Sequence, residues 1–153
     1  MPATMKIEQV IQQRKPFRNP RQKALINLIF TTNWVTDRIK TLLKPHGITM
    51  QQYNVLRILR GAGEPISTSA IRERMLDKMS DTSRMVDRLY QKGLVVRSPC
   101  PDDKRLVDVR LSAQGSRLID ELDRLDPEID RVLGQLRETE ADQLSNLLDK
   151  IRD

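Results

Sequence analysis

Apolar residues recur at helical spacing through most of the chain, and clusters of Pro, Gly and small polar residues break that rhythm into segments. Residues 1 to 18 are polar and basic, with Ile7, Val10 and Ile11 as their one apolar group, and predict a short amphipathic helix or an arm. Asn19-Pro20 pairs a good cap with a good first helical residue. Leu25, Leu28, Ile29, Val35, Ile39, Leu42 and Leu43 then keep a helical period until Pro45-His46-Gly47 stops it. Thr49 caps a second helix carrying Tyr53, Val55, Leu56, Ile58 and Leu59, which breaks at Gly61-Ala62-Gly63-Glu64-Pro65. Ser67 or Thr68 caps a third, with Ile71, Met75 and Leu76 expected to face inward. Ser80 is the expected cap of a fourth, running to about Gln91 and closed by Gly93.

The period then changes. Leu94-Val95-Val96 and Leu106 to Leu111 predict strands; Val107, Val109 and Leu111 alternate with Asp108 and Arg110, giving one buried and one wet face. From Ala113 a long amphipathic stretch carries Leu118, Ile119, Leu122 and Leu125. Pro127 kinks it, and Ile129, Val132, Leu133 and Leu136 continue it. Thr139 is the expected cap of a last helix with Leu144, Leu147, Leu148 and Ile151. The expected architecture is mainly α with a small β-hairpin wing. It places an N-terminal helical part at 1–48, a winged helix-turn-helix at 49–112 and C-terminal helices at 113–153, all in one compact domain.

Charge sharpens this picture. Residues 1–113 hold 21 Lys/Arg against 10 Asp/Glu, whereas residues 114–153 hold 6 against 11. A basic body with an acidic C-terminal part fits a polyanion-binding unit joined to one with another task. With aromatics at 3% of the chain, the core rests on Leu, Ile, Val and Met, and a supply this lean points to burial against a partner subunit. A single histidine, a single cysteine, no Gly-rich phosphate loop and no metal-ligand spacing argue against an enzyme, a metal site or a cofactor. The absence of a signal peptide and of a long apolar run predicts a cytoplasmic chain with no membrane partner. Cys100 has no second thiol with which to resolve an oxidised form.

On the fourth helix, Thr82, Met85, Val86 and Leu89 gather on one side, while Ser80, Ser83, Arg84, Asp87 and Gln91 lie opposite, flanked by Asp81 and Arg88. Hydroxyls near a helix start bond phosphates, and arginine forks onto guanine in the major groove. A solvated face with Arg–Asp pairs has the same composition. The hairpin favours the DNA reading, because Lys104 and Arg105 stand at its tip and an arginine on a thin arm suits the narrow minor groove. Asp103, two residues earlier, is expected to hold Arg105 as a bidentate pair until DNA competes for it.

Here the chain resembles the MarR-type winged-helix transcriptional regulators. Their signature runs Asp-x-Arg, a spacer of five, then Leu-Thr-x-x-Gly, and Asp103, Arg105, Leu111, Ser112 and Gly115 match it with Ser for Thr. Ser83 to Leu89, Lys92 to Arg97 and Gln52 to Arg57 also resemble the family. The resemblance implies a homodimer built from the first helix and the last two, usually a repressor, reading a pseudo-palindromic site in double-stranded DNA. It places the wing-tip contact on Arg105, supported by Asp103, and further DNA contacts on Ser80, Ser83, Arg84 and Arg88, beside Lys104. It also implies release by a small aromatic or anionic effector, for which Phe30, Trp34, Tyr53 and Arg57 are candidate cleft residues, with His46 nearby in sequence; core packing is the competing role for the aromatics. Two departures stand out. Asp81 occupies a position where the family usually has a hydroxyl, and an acid there repels phosphate unless it orients Arg84 or accepts from a cytosine amino group. The turn Leu76-Asp77-Lys78-Met79 lacks the usual small residue. The competing reading of the whole chain is a winged-helix module for protein–protein assembly, which an acidic or apolar wing tip would favour.

Overall fold

In the computed structural model, which describes residues 4–153, the first element is a single turn, α1 (Ile7–Val10), with Ile7 buried. Residues 1–3 of the predicted N-terminal arm lie outside the described residues. Next comes α2 (Pro20–Leu43), opened by Asn19, whose Oδ1 accepts from the Gln22 N–H at 2.9 Å. Leu43 is the one fully buried residue of its predicted stripe; Leu25, Leu28 and Ile29 face solvent. The chain divides into two compact units, Met1–Ile39 and Lys40–Asp153, with the boundary inside α2.

The second unit holds the main core. Thr49 caps α3 (Met50–Ala62) by accepting from the Gln52 N–H, and the Gln52 side chain accepts in return from the Thr49 N–H. Val55, Leu56 and Leu59 of α3 are buried. Then come β1 (Ile66–Ser67), α4 (Thr68–Arg74) capped by Ser67, and α5 (Thr82–Gln91). Gly93, at φ 74°, turns the chain into the hairpin of β2 (Val95–Pro99) and β3 (Val107–Leu111). The sheet order is β1-β3-β2, antiparallel throughout, with Ile66 opposite Val109 and Val95 opposite Leu111. Ile71, Met75, Val86, Leu89, Val95, Val109, Ile119 and Leu122 also belong to the core. The C-terminal part runs through α6 (Ala113–Leu122), α7 (Asp126–Asp130) and α8 (Glu138–Ile151), with short 3-10 turns at Asp123–Leu125 and Arg131–Leu133. No helix among the described residues is long and apolar enough to cross a membrane.

Several expectations need correction. β1 is absent from the sequence reading, because two residues carry no period and only their pairing with β3 makes them a strand. α5 starts one residue later than expected: its cap is Asp81, whose Oδ1 accepts from the Arg84 N–H at 3.1 Å, and not Ser80. Leu76 does not face inward; the chain leaves helical geometry at Met75, so the helical period no longer applies one residue on. Val107 shares a face with Val109, yet it is exposed because the hairpin projects past the core. Finally, α8 is capped at Arg137 and Thr139 lies inside it. The Arg137 N–H and guanidinium both donate to Glu140 at 2.9 Å, a charge-assisted arrangement that holds the Glu140 carboxyl below its usual range.

Candidate nucleic-acid interface

The apolar face of α5 is anchored in the core by Thr82, Val86 and Leu89, so the opposite face is fixed toward solvent. Ser83, Arg84, Asp87, Arg88 and Gln91 are all exposed there, as the helical period predicts. Asp87 does not pair with its neighbours on the helix. Its carboxylate accepts from the Arg97 guanidinium of β2 at 2.5 Å, and Arg97 lies 4.0 Å over the Tyr90 ring. That contact ties the outer edge of α5 to the base of the hairpin. Among the described residues neither Arg84 nor Arg88 forms an ion pair, so two guanidinium groups stand on the exposed face uncommitted.

Two residues at the helix start differ from expectation in detail. Ser80 is half-buried, its hydroxyl is shielded from solvent without a hydrogen bond, and its N–H donates to the Asp77 carbonyl. Asp81 is exposed and spends one carboxylate oxygen on the cap. It therefore fills the site at the helix N-terminus where a phosphate oxygen would otherwise bind.

The wing tip is built from its own aspartate. Asp103 Oδ1 accepts from the Arg105 N–H at 3.0 Å and from Arg105 Nε at 3.3 Å, and the Asp103 carbonyl accepts from the Leu106 N–H. One oxygen thus serves both bonds. The bidentate pair expected from sequence does not form, because Asp103 bends the turn as well as holding the side chain. The Arg105 side chain is 91% exposed and Lys104 is exposed beside it. Cys100 is half-buried on the same hairpin.

At the root of the wing, Ser112 is held by its hydroxyl and its backbone N–H. Its Oγ accepts from the Gly115 N–H at 2.9 Å and donates to the Gly93 carbonyl at 2.6 Å, and its N–H donates to the Leu94 carbonyl. Any Cβ at Gly115 would overlap the Leu94 carbonyl. The Ser112 and Gly115 positions thus lock α6 against the start of β2, and serine supplies the same hydroxyl that threonine would.

Phe30 and Trp34 lie in the Met1–Ile39 unit, on a groove of about 510 Å³ shared with Lys6, Val10 and Lys23. The Arg38 guanidinium sits 3.9 Å over the Trp34 ring, and Lys23 pairs with Glu8, holding that carboxyl below its usual range. Tyr53 and Arg57 lie in the other unit; the Tyr53 ring is buried and its hydroxyl accepts from Arg57 at 2.9 Å. His46 borders a separate polar groove with Lys92 and Arg117. Sequence reasoning overlooked Arg97 and also Asn54, which holds the Leu76 N–H at 2.9 Å. Nothing in either residue type announces the role, since both partners are distant in sequence. No group of three His, Cys, Asp or Glu side chains among the described residues could hold a metal ion.

Comparison with known proteins agrees with this geometry. A model of the MarR family matches residues 48–107. The multiple antibiotic resistance protein MarR of Escherichia coli is 34% identical over 99 residues, 64% of this chain and 68% of that protein. The HTH-type transcriptional repressor IacR of Pseudomonas putida is 29% identical over 117 residues, 76% of this chain and 70% of that protein. Among solved structures, a cysteine-to-serine variant of Escherichia coli MarR complexed with operator DNA is similar, with a TM-score of 0.76 at 28% identity, covering 84% of this chain and 93% of that one.

Proposed function

The chain belongs to the MarR family and is a DNA-binding transcriptional regulator, not an enzyme, and on that premise we propose that it acts as a homodimeric repressor of a pseudo-palindromic operator. The observation that carries this reading is the pairing of two uncommitted guanidinium groups on the fixed outer face of α5 with a 91% exposed arginine at the wing tip. A helix in the major groove and an arm in the adjacent minor groove use those two features. In this reading Arg84 and Arg88 bond guanine edges or phosphates, Ser83 bonds phosphate, and Lys104 and Arg105 enter the minor groove. Asp103 positions Arg105, and Asp81 disfavours phosphate at the helix start and so favours a base donor such as the cytosine amino group.

Dimerisation is supported by apolar surface that the single chain leaves uncovered. Leu147 and Ile151 of α8 are 62% and 67% exposed, and Leu25 and Ile29 of α2 are 57% and 55% exposed. A two-fold dimer reads half-sites about 10 base pairs apart, centre to centre. For release, a small aromatic anion suits the Phe30–Trp34 groove, where rings and cations lie together. Such a ligand acts by preferring one spacing of the two reading heads. Footprinting on the DNA upstream of the protein's own coding sequence tests the proposal. Two protected half-sites one helical turn apart, weakened by an aromatic carboxylate, are expected; a protein that protects no DNA contradicts it.

A further inference from the structure

The turn between α4 and α5 carries an unexplained feature. Leu76 is 87% exposed and Met79 is 93% exposed, more than any other large apolar residue described. The exposure does not come from a loose backbone. The Leu76 N–H donates to Asn54 Oδ1 at 2.9 Å, the Met79 N–H to Asp77 Oδ1 at 2.9 Å, and the Ser80 N–H to the Asp77 carbonyl at 3.2 Å. Met75, just before them, is buried in the core.

The polar members of the turn are already engaged. Asp77 is spent on the turn itself, and the Lys78 ammonium donates to the Glu73 carbonyl at the end of α4. What the turn presents outward is therefore an isobutyl group and a thioether, with no cation offered to phosphate. Met79 lies two residues before the Asp81 cap. In a helix-turn-helix the start of the second helix is the part that meets base edges. Among base edges in the major groove, the one apolar group is the thymine methyl.

We propose that Met79, flanked by Leu76, reads thymine methyl groups at the edge of each half-site. The two side chains form an apolar clamp at the entrance of α5 that favours T·A pairs by contact with the C5-methyl. Their contribution is sequence preference without charge, next to Asp81, which discourages non-specific phosphate contact. The inference rests on the reading that α5 enters the major groove, and the experiment separates the two.

The wild-type protein is used to select a duplex from a random library, and each thymine of that duplex is then replaced singly by deoxyuridine, which removes only the methyl. Wild-type affinity is expected to fall about fourfold at one or two positions, the factor that matches roughly one buried methyl group. Met79→Ala is expected to bind the parent duplex about fourfold more weakly, and to be insensitive to uridine at those same positions. Because Met79 is solvent-exposed, circular dichroism of this variant should match wild type. If no uridine position weakens the wild type, or if Met79→Ala stays sensitive there, the proposal is overturned while the reading of α5 stands, provided Arg84→Ala still loses the duplex. Unchanged DNA affinity in Met79→Ala also overturns it. A wild-type protein that selects no duplex overturns both.

Discussion

Asp81 caps α5, and in the proposed reading the same side chain also acts on DNA. Its carboxylate closes the first turn of α5 by accepting from the Arg84 N–H, and its charge stands at the helix end that the proposed reading turns toward DNA. The two roles are separable by substitution. Asp81→Ala is expected to cost about 1 kcal/mol, the usual price of a lost cap, whereas Asp81→Asn keeps the cap and loses only a few tenths. On DNA, both variants should bind random duplex more tightly than wild type, because a negative charge leaves the interface. Thermal melts and anisotropy titrations on non-specific duplex check the pair. Ser112 makes a similar case at the wing root, where Ser112→Ala removes two bonds and should destabilise by about 1–2 kcal/mol in chemical denaturation. At this scale the sequence was informative where a residue acts on close neighbours, as with the caps Asn19 and Thr49. It misled at Ser80, where a hydroxyl and the carboxylate beside it compete for the same cap and only the turn geometry decides.

At the level of elements, side-chain contacts brace the wing, α5 and α6 against one another and α6 against α3. Arg97 joins β2 to Asp87 of α5, Ser112 and Gly115 lock α6 to β2, and Arg60 of α3 grips Asp123 with bonds of 2.7 and 2.8 Å. Gly115→Ala should be severely destabilising, by more than about 3 kcal/mol, because the new methyl meets backbone that has no room to yield. The Arg60 hydrogen bonds hold the Asp123 carboxyl below its ordinary value, outweighing the desolvation that would raise it. A carboxylate depressed by folding contributes stability above its unfolded pKa and loses it as pH falls through the folded one. Acid titration of stability should therefore show a loss below about pH 4 that Asp123→Asn reduces. The long periodic helices α2, α3, α5 and α6 were readable because several apolar residues report the same face. β1 and the Leu76–Met79 turn were not, since two paired residues and an irregular backbone follow no period. The start of α8 was misread because an Arg137–Glu140 clasp outcompetes the Thr139 hydroxyl.

For the whole molecule, the separation of charge and the placement of exposed apolar surface point to different partners. The basic body carries α5 and the wing, while the acidic C-terminal part carries Leu147 and Ile151 at the surface. The double variant Leu147→Glu and Ile151→Glu should shift the protein to monomer in sedimentation velocity at micromolar concentration; an unchanged dimer would move the interface elsewhere. That the stripes of α2 and α8 exceed what one chain buries was foreshadowed by their period, though a sequence does not say whether a stripe is covered by its own chain or by another. In the proposed reading, DNA is held by the guanidinium groups of α5 and the wing. The most direct measurement is equilibrium binding of a selected duplex as a function of salt, for wild type and Arg105→Ala. Counterion release predicts that wild-type affinity falls by at least about a hundredfold between roughly 50 and 200 mM salt. Arg105→Ala should bind about tenfold or more weakly, with a salt slope shallower by about one. A flat salt response, or an Arg105→Ala variant indistinguishable from wild type, would mean that these guanidinium groups do not hold DNA.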